Sequence, residues 1–152
     1  MIKRDGEVLC EELQRATYLG RATHCGADIY TFDGAQLPAL MREVWRLRDL
    51  SFREAGVALD DSSGGCASDC DGSCRQLVVW DSEAGEIMGG YRYSLGAEVV
   101  PERLSIWRYF SLTPHFVNDY LPSALELGRS FVSPQYQRGS DLRTIYALDA
   151  LW

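Results

Sequence analysis

The segment from Leu37 to Ser51 carries apolar residues at helical spacing and lies between stretches that read as strands. Leu37, Leu40, Met41, Val44, Leu47 and Ser51 recur at i, i+3 and i+4, with Pro38 in the first turn and Gly56 at the end. Before it, Asp28-Ile29-Tyr30-Thr31-Phe32 is a β-branched and aromatic run that stops at Asp33-Gly34. After it, Arg75 to Trp80 and Glu86 to Tyr93 flank Asp81-Ser82-Glu83-Ala84-Gly85, a hairpin with a short Gly-containing loop. A helix with one apolar stripe, set between strands, needs a sheet to bury that stripe, so the expected class is α/β.

The rest of the chain fills in around this frame. Residues 7–16 predict a short helix, and Gly20 and Gly26 bracket a loop. Residues 57–74 read as a long acidic loop, a length that is uncommon without a function. Gly89-Gly90 would weaken a plain strand and points to a bulge or a close backbone approach. Residues 98–111 read as a helix or an irregular lid. Thr113-Pro114 starts a short helix that ends near Leu121-Pro122. A strand follows over 124–133, then a loop from Pro134 to Gly139, and Ser140 caps a last helix that carries Leu142, Ile145, Tyr146, Leu148 and Leu151.

With 152 residues the chain fits one domain over 1–152. Its 15 basic and 22 acidic residues give a net charge of -7, which excludes a generic nucleic-acid binder because phosphate neutralisation needs a dense basic face. A local patch, Arg42, Arg46, Arg48 and Arg53, is still available to an acidic carrier protein, although a solvated helix face is the simpler reading of any one of them. No stretch reaches the roughly 20 apolar residues of a membrane span. The first residues lead into a polar helix and not into a signal sequence, so a cytoplasmic location is expected, at most with peripheral contact at the inner face of the membrane. Five cysteines, an odd number, then read as reduced thiols.

Several blocks together resemble one family. They are Arg46-Leu47-Arg48-Asp49-Leu50-Ser51-Phe52-Arg53, Gln76 to Trp80, Gly89-Gly90-Tyr91-Arg92-Tyr93, Glu126-Leu127-Gly128-Arg129-Ser130-Phe131-Val132 and Ala147 to Trp152. The chain is similar, from about residue 9 onward, to the bacterial aminolipid N-acyltransferases that make ornithine or glycine lipids, often labelled hemolysin-like, and most of all to the glycine-lipid branch. The resemblance implies a GNAT-like α/β fold, a mixed and mainly antiparallel sheet flanked by helices, here without its final strands. More distantly, Arg48, Phe52, Arg92 and Glu126-x-x-Arg129 resemble the acyl-homoserine lactone synthases.

What the resemblance implies chemically is transfer of a 3-hydroxylated or plain fatty acyl group to the α-amine of glycine or ornithine. The donor would be an acyl-phosphopantetheine thioester on acyl carrier protein, or acyl-CoA. The attacking amine must be neutral, the thioester oxyanion needs donors, and an amino acid's carboxylate suits an Arg fork. Glu126 is the candidate base or amine-orienting group, and Arg129 and Arg92 are candidates to hold a carboxylate or to stabilise Glu126. The alternative for Arg129 is a Glu–Arg pair that merely fixes the strand. Arg48 and Phe52 are candidate substrate-binding residues. Phe131, Val132, Gln137, Arg138, Gly139 and Ser140 would receive the pantetheine arm and its phosphate. In a regular strand Glu126 and Arg129 face opposite ways, so a shared site requires a bulge, expected at Gly128.

Asp60, Asp61, Asp69 and Asp71 read as members of a solvated loop. Cys66, Cys70 and Cys74 lack the spacing of common zinc or iron–sulfur sites, and no metal is expected. Phe52, Trp80 and Tyr91 are expected in the core, and Trp107, Tyr109, Phe110, Phe116 and Tyr120 in core or lid packing. Without final strands the 124–133 strand exposes an edge, so either the chain is a truncated product or a partner such as a second copy covers that side. Two other function classes stay open: an acyl-homoserine lactone-type synthase, and an inactive fragment or interaction module.

Overall fold

The computed structural model describes residues 5–57, 67–137 and 150–151. A helix α1 (Asp5–Leu13) precedes strands β1 (Thr17–Arg21) and β2 (Asp28–Phe32), then the long helix α2 (Pro38–Glu54). Strands β3 (Arg75–Asp81), β4 (Glu86–Leu95) and β5 (Leu125–Val132) complete a five-stranded sheet in the order β1-β2-β3-β4-β5. Every pairing among the described strands is antiparallel.

The periodic face of α2 is buried as its spacing requires. Leu37, Leu40, Met41, Val44 and Leu47 pack on Phe32, Val78, Trp80, Ile87 and Phe131. Val79, next to Val78 along β3, belongs to a second cluster with Ala27, Met88, Val132, Tyr136 and Leu151. Adjacent strand residues point to opposite faces, so these are the two sides of the sheet. The first turn of α2 has no acidic residue and no side-chain cap of its own. The Glu12 carboxylate of α1 supplies one, accepting from the Leu40 N–H at 2.8 Å, where an anion also suits the helix dipole. On the exposed side, Arg46 pairs with Glu43 and Arg53 with Asp49, so two of the four basic residues of this helix are already matched by neighbouring acids.

Three sequence expectations change. The stretch read as a loop around Gly20 includes β1, which pairs with β2 through a register shift between Tyr18 and Gly20. That shift breaks the alternation a strand signal depends on. Residues 98–111 form not a regular helix but two short 3-10 turns, Pro101–Arg103 and Ser105–Arg108, with Leu104 buried between them. The aromatics of the region lie outward: Tyr109 is 77% exposed, Phe110 64% and Tyr120 57%. The last helix, with its cap at Ser140, lies outside the described residues.

Gly89 and Gly90 are needed for close approach. A Cβ on Gly90 would sit 2.5 Å from the Leu77 carbonyl oxygen, and one on Gly89 2.6 Å from that of Phe131. Both obstacles are backbone in neighbouring strands and have little room to move. Gly90→Ala is therefore expected to cost about 1–3 kcal/mol as overpacking, read as a lower urea midpoint. An unchanged midpoint would show that β3 yields.

Candidate active site

Strands β4 and β5 part company at one position. Gly90 registers with Phe131 and Arg92 with Gly128, so β4 advances by two residues where β5 advances by three. The extra residue lies at Arg129–Ser130, opposite Tyr91, and Arg129 takes a left-handed φ of 52°. The bulge expected at Gly128 is therefore present, one residue further along. A non-glycine residue in this region carries a backbone cost of about 1–3 kcal/mol, which the surrounding packing must hold in place. Glu126 registers with Ser94 and thus shares the face of Arg92. Arg129 comes close enough to that side for its charge to act on Arg48.

Beside the bulge is a cavity of about 500 Å³. Its walls are Ser51 and Phe52 of α2 with the C-cap residue Ala55, Tyr91 of β4, Ser130, Phe131 and Val132 of β5, and Tyr136, Gln137 and Leu151. Four of the residues singled out from the sequence, Phe52, Phe131, Val132 and Gln137, meet here. Gln137 does not reach outward toward a phosphate. Its Nε2 donates to Ser51 Oγ at 2.9 Å and to the Val132 carbonyl. Arg138, Gly139 and Ser140 lie outside the described residues. Tyr136 is fixed from below, its hydroxyl 3.0 Å from Asp81 Oδ2 and 2.9 Å from Glu86 Oε1. Burial and those two carboxylates push its pKa up, so it stays a neutral phenol.

A polar network occupies the other side of the bulge, centred on a residue that the sequence reading placed in a solvated loop. Asp69 is fully buried, with 0% exposure. Its Oδ2 accepts from Trp45 Nε1 at 2.9 Å and Arg48 Nη1 at 3.0 Å, and its Oδ1 from Gln76 Nε2 at 3.0 Å. Arg92 stands 3.6 Å from Oδ1. Burial pushes this carboxyl upward, but Arg48, the Trp45 N–H, Arg92 and Gln76 outweigh it and hold it below the usual carboxylate range. Arg48 is itself fully buried and also donates to Gln76 Oε1 at 3.0 Å. Burial pushes its pKa down, and Arg129 and Arg92 act the same way against the pull of Asp69. Arg48, expected to bind substrate, is enclosed in this network and is not among the residues that line the cavity.

Arg92 continues the network. It donates to Ser68 Oγ at 3.0 Å and to Ser105 Oγ at 2.8 Å. The backbone N–H groups of Ser105 and Ile106 in turn donate to Glu126, at 3.0 and 2.8 Å. Both oxygens of Glu126 are thus used to hold the start of the 105–108 turn against β5. Cys74 lies alongside, its Sγ donating to the Ser68 carbonyl at 3.0 Å. Burial and Asp69 push the thiol up to about 12, so it remains protonated at neutral pH and is no nucleophile.

Network and cavity are neighbours in the chain at two places: Arg48 is one helical turn before Ser51 and Phe52 on α2, and Arg129 directly precedes Ser130 on β5. Sequence reasoning missed Asp69, Trp45, Gln76, Ser51 and Tyr136. Trp45 and Arg48, at i and i+3 on α2, were the available signal that a polar partner had to meet the buried side of that helix.

The comparisons with known proteins agree with this geometry. Residues 47–147 match the family model described as an acetyltransferase (GNAT) domain. The chain is 36% identical over 158 aligned residues to a glycine N(alpha)-acyltransferase of Bacteroides thetaiotaomicron, covering 96% of this chain and 45% of that protein. It is 37% identical to a glycine N(alpha)-acyltransferase of Phocaeicola vulgatus, covering 96% of this chain and 47% of that one. It thus spans about half the length of these curated relatives. No solved structure matches the chain significantly. The matched segment takes in the second half of α2, the network residues Arg48, Asp69, Gln76 and Arg92, the bulge and most of the cavity wall, and the chain belongs to the GNAT acetyltransferase family.

Proposed function

We propose that this chain carries the acyl-transfer site of an N-acyltransferase that moves a fatty acyl group from a thioester to the α-amine of glycine, in the synthesis of an aminolipid. The observation that carries the reading is an apolar-walled cavity of about 500 Å³ beside the β5 bulge, whose Arg129 directly precedes the cavity residue Ser130. An acyl chain suits such a cavity. The two relatives that bear the name glycine N(alpha)-acyltransferase support glycine as the acceptor. The donor in this reading is an acyl-phosphopantetheine thioester on acyl carrier protein.

Phe52, Phe131 and Val132 enclose the acyl group and keep water from the thioester. Arg129, at the bulge, forks the amino acid's carboxylate. Arg48 and Arg92 are joined through Asp69, and Glu126 holds the 105–108 turn against β5. The glycine ammonium loses a proton to solvent, its amine attacks the carbonyl carbon, the C–S bond breaks, one of the two remaining amine protons ends on the departing thiolate, and the other stays on the amide nitrogen.

Mass spectrometry of the purified chain with glycine and a long-chain acyl carrier protein is expected to detect N-acylglycine. Running the reaction in parallel with ornithine and with acyl-CoA identifies the preferred acceptor and donor. A folded chain that yields no N-acyl amino acid from either thioester would sink the reading, and a lactone formed from S-adenosylmethionine would move it to the signal synthases.

A further inference from the structure

We propose that the Gln137 side chain is a removable plug of the cavity, holding with its own carboxamide the backbone acceptor that an amide-bearing thioester arm takes on binding. This rests on the N-acyltransferase reading and specifies the donor's chemistry: a linear arm with a secondary amide N–H. Gln137 is itself exposed, yet its Nε2 reaches two buried partners, Ser51 Oγ on α2 and the Val132 carbonyl at the end of β5. Both partners line the cavity. A carbonyl only accepts, so the contact with Val132 fixes which end of the carboxamide points inward. One side-chain nitrogen thus bridges helix and strand at the cavity wall and presents there the same N–H-to-carbonyl pairing that a ligand amide offers.

The exchange is energetically easy. The ligand amide replaces the hydrogen bond to the Val132 carbonyl, the one to Ser51 Oγ is given up, and the exposed Gln137 side chain regains water when it swings out. A ligand entering the wild-type cavity must first displace this contact, so affinity is lowered by its strength. The remaining walls nearest the plug, Phe52, Phe131 and Leu151, offer no competing donor from their side chains.

The test is calorimetric titration of the 152-residue chain with pantetheine, a neutral probe that carries the amides but no phosphate or acyl chain. Gln137→Ala removes the plug and is expected to bind roughly five-fold more tightly than the wild type. Gln137→Glu, which keeps the side-chain length but has no N–H to donate, is expected to tighten binding similarly, and decides the matter if the alanine variant does not fold. Tighter binding by the variants supports the plug, including the case in which only the variants bind. Equal or weaker binding by folded variants, with the wild type binding, overturns the plug alone and makes Gln137 a bystander or a direct ligand contact. Absence of binding by wild type and variants alike overturns the plug together with the thioester-donor reading.

Discussion

Asp69→Ala is expected to lower stability by about 3–5 kcal/mol, because it leaves the buried Arg48 without its counter-charge. Arg48 and Asp69 are both fully enclosed and 3.0 Å apart, so water does not replace the lost carboxylate. Set against the roughly 5–15 kcal/mol that holds a domain together, this is enough to bring the variant close to unfolding. In a thermal melt it corresponds to a fall of about 10 °C for a chain of this size. Asp69→Asn retains an acceptor for the Trp45 N–H and should lose less. The pH dependence has a definite sign. The folded-state pKa of Asp69 is depressed, so its contribution is complete above the unfolded carboxylate value of about 4 and is lost as pH falls through the lower folded value. The stability gap between wild type and Asp69→Asn should therefore be constant near neutrality and narrow as pH drops below about 4. A melting point unaltered in Asp69→Ala would mean that the network contributes nothing net to the fold.

The second large effect concerns Glu126. If it acts by holding the 105–108 turn, Glu126→Ala loses two charge-assisted hydrogen bonds and about 2–3 kcal/mol of stability, and frees that turn to exchange its amide hydrogens. N-acylation should fall at least ten-fold as the turn leaves the site. Glu126→Gln separates holding from proton transfer. It keeps one acceptor oxygen and cannot take a proton, so a positioning role predicts partial activity with an unchanged acidic limb in the pH–rate profile. Disappearance of that limb would instead identify Glu126 as the base. The side chain already accepts from two backbone N–H groups, which is why the positioning outcome is expected.

The α/β class, α2, the β3–β4 hairpin and β5 were all legible, because each rests on local periodicity or turn chemistry that tertiary structure did not override. The Gly89-Gly90 pair announced a close approach, and the spacing of Glu126 and Arg129 required an irregular strand. What escaped was what depends on contacts distant in the chain. Asp69 sits among Asp and Ser residues that look solvated, and only the arrival of Trp45, Arg48, Gln76 and Arg92 from three other elements makes it a buried hub. Strand β1 escaped because Tyr18 and Gly20 straddle a register shift, which removes the period of two. Of the aromatics expected in core or lid packing, Phe116 is half-buried while Trp107, Tyr109, Phe110 and Tyr120 are exposed, so none of them joins the core, in keeping with how commonly surfaces carry apolar side chains.

The arrangement of the sheet has a consequence for how the site comes into being. Spatial order equals chain order, β1 to β5, so each strand finds its partner already present when it leaves the ribosome. Among the described strands β5 comes latest in the chain, and it carries the bulge, three cavity walls and Glu126. Six of the ten residues that line the cavity are thus synthesised after the four strands it is built against, so the scaffold precedes the greater part of the chamber.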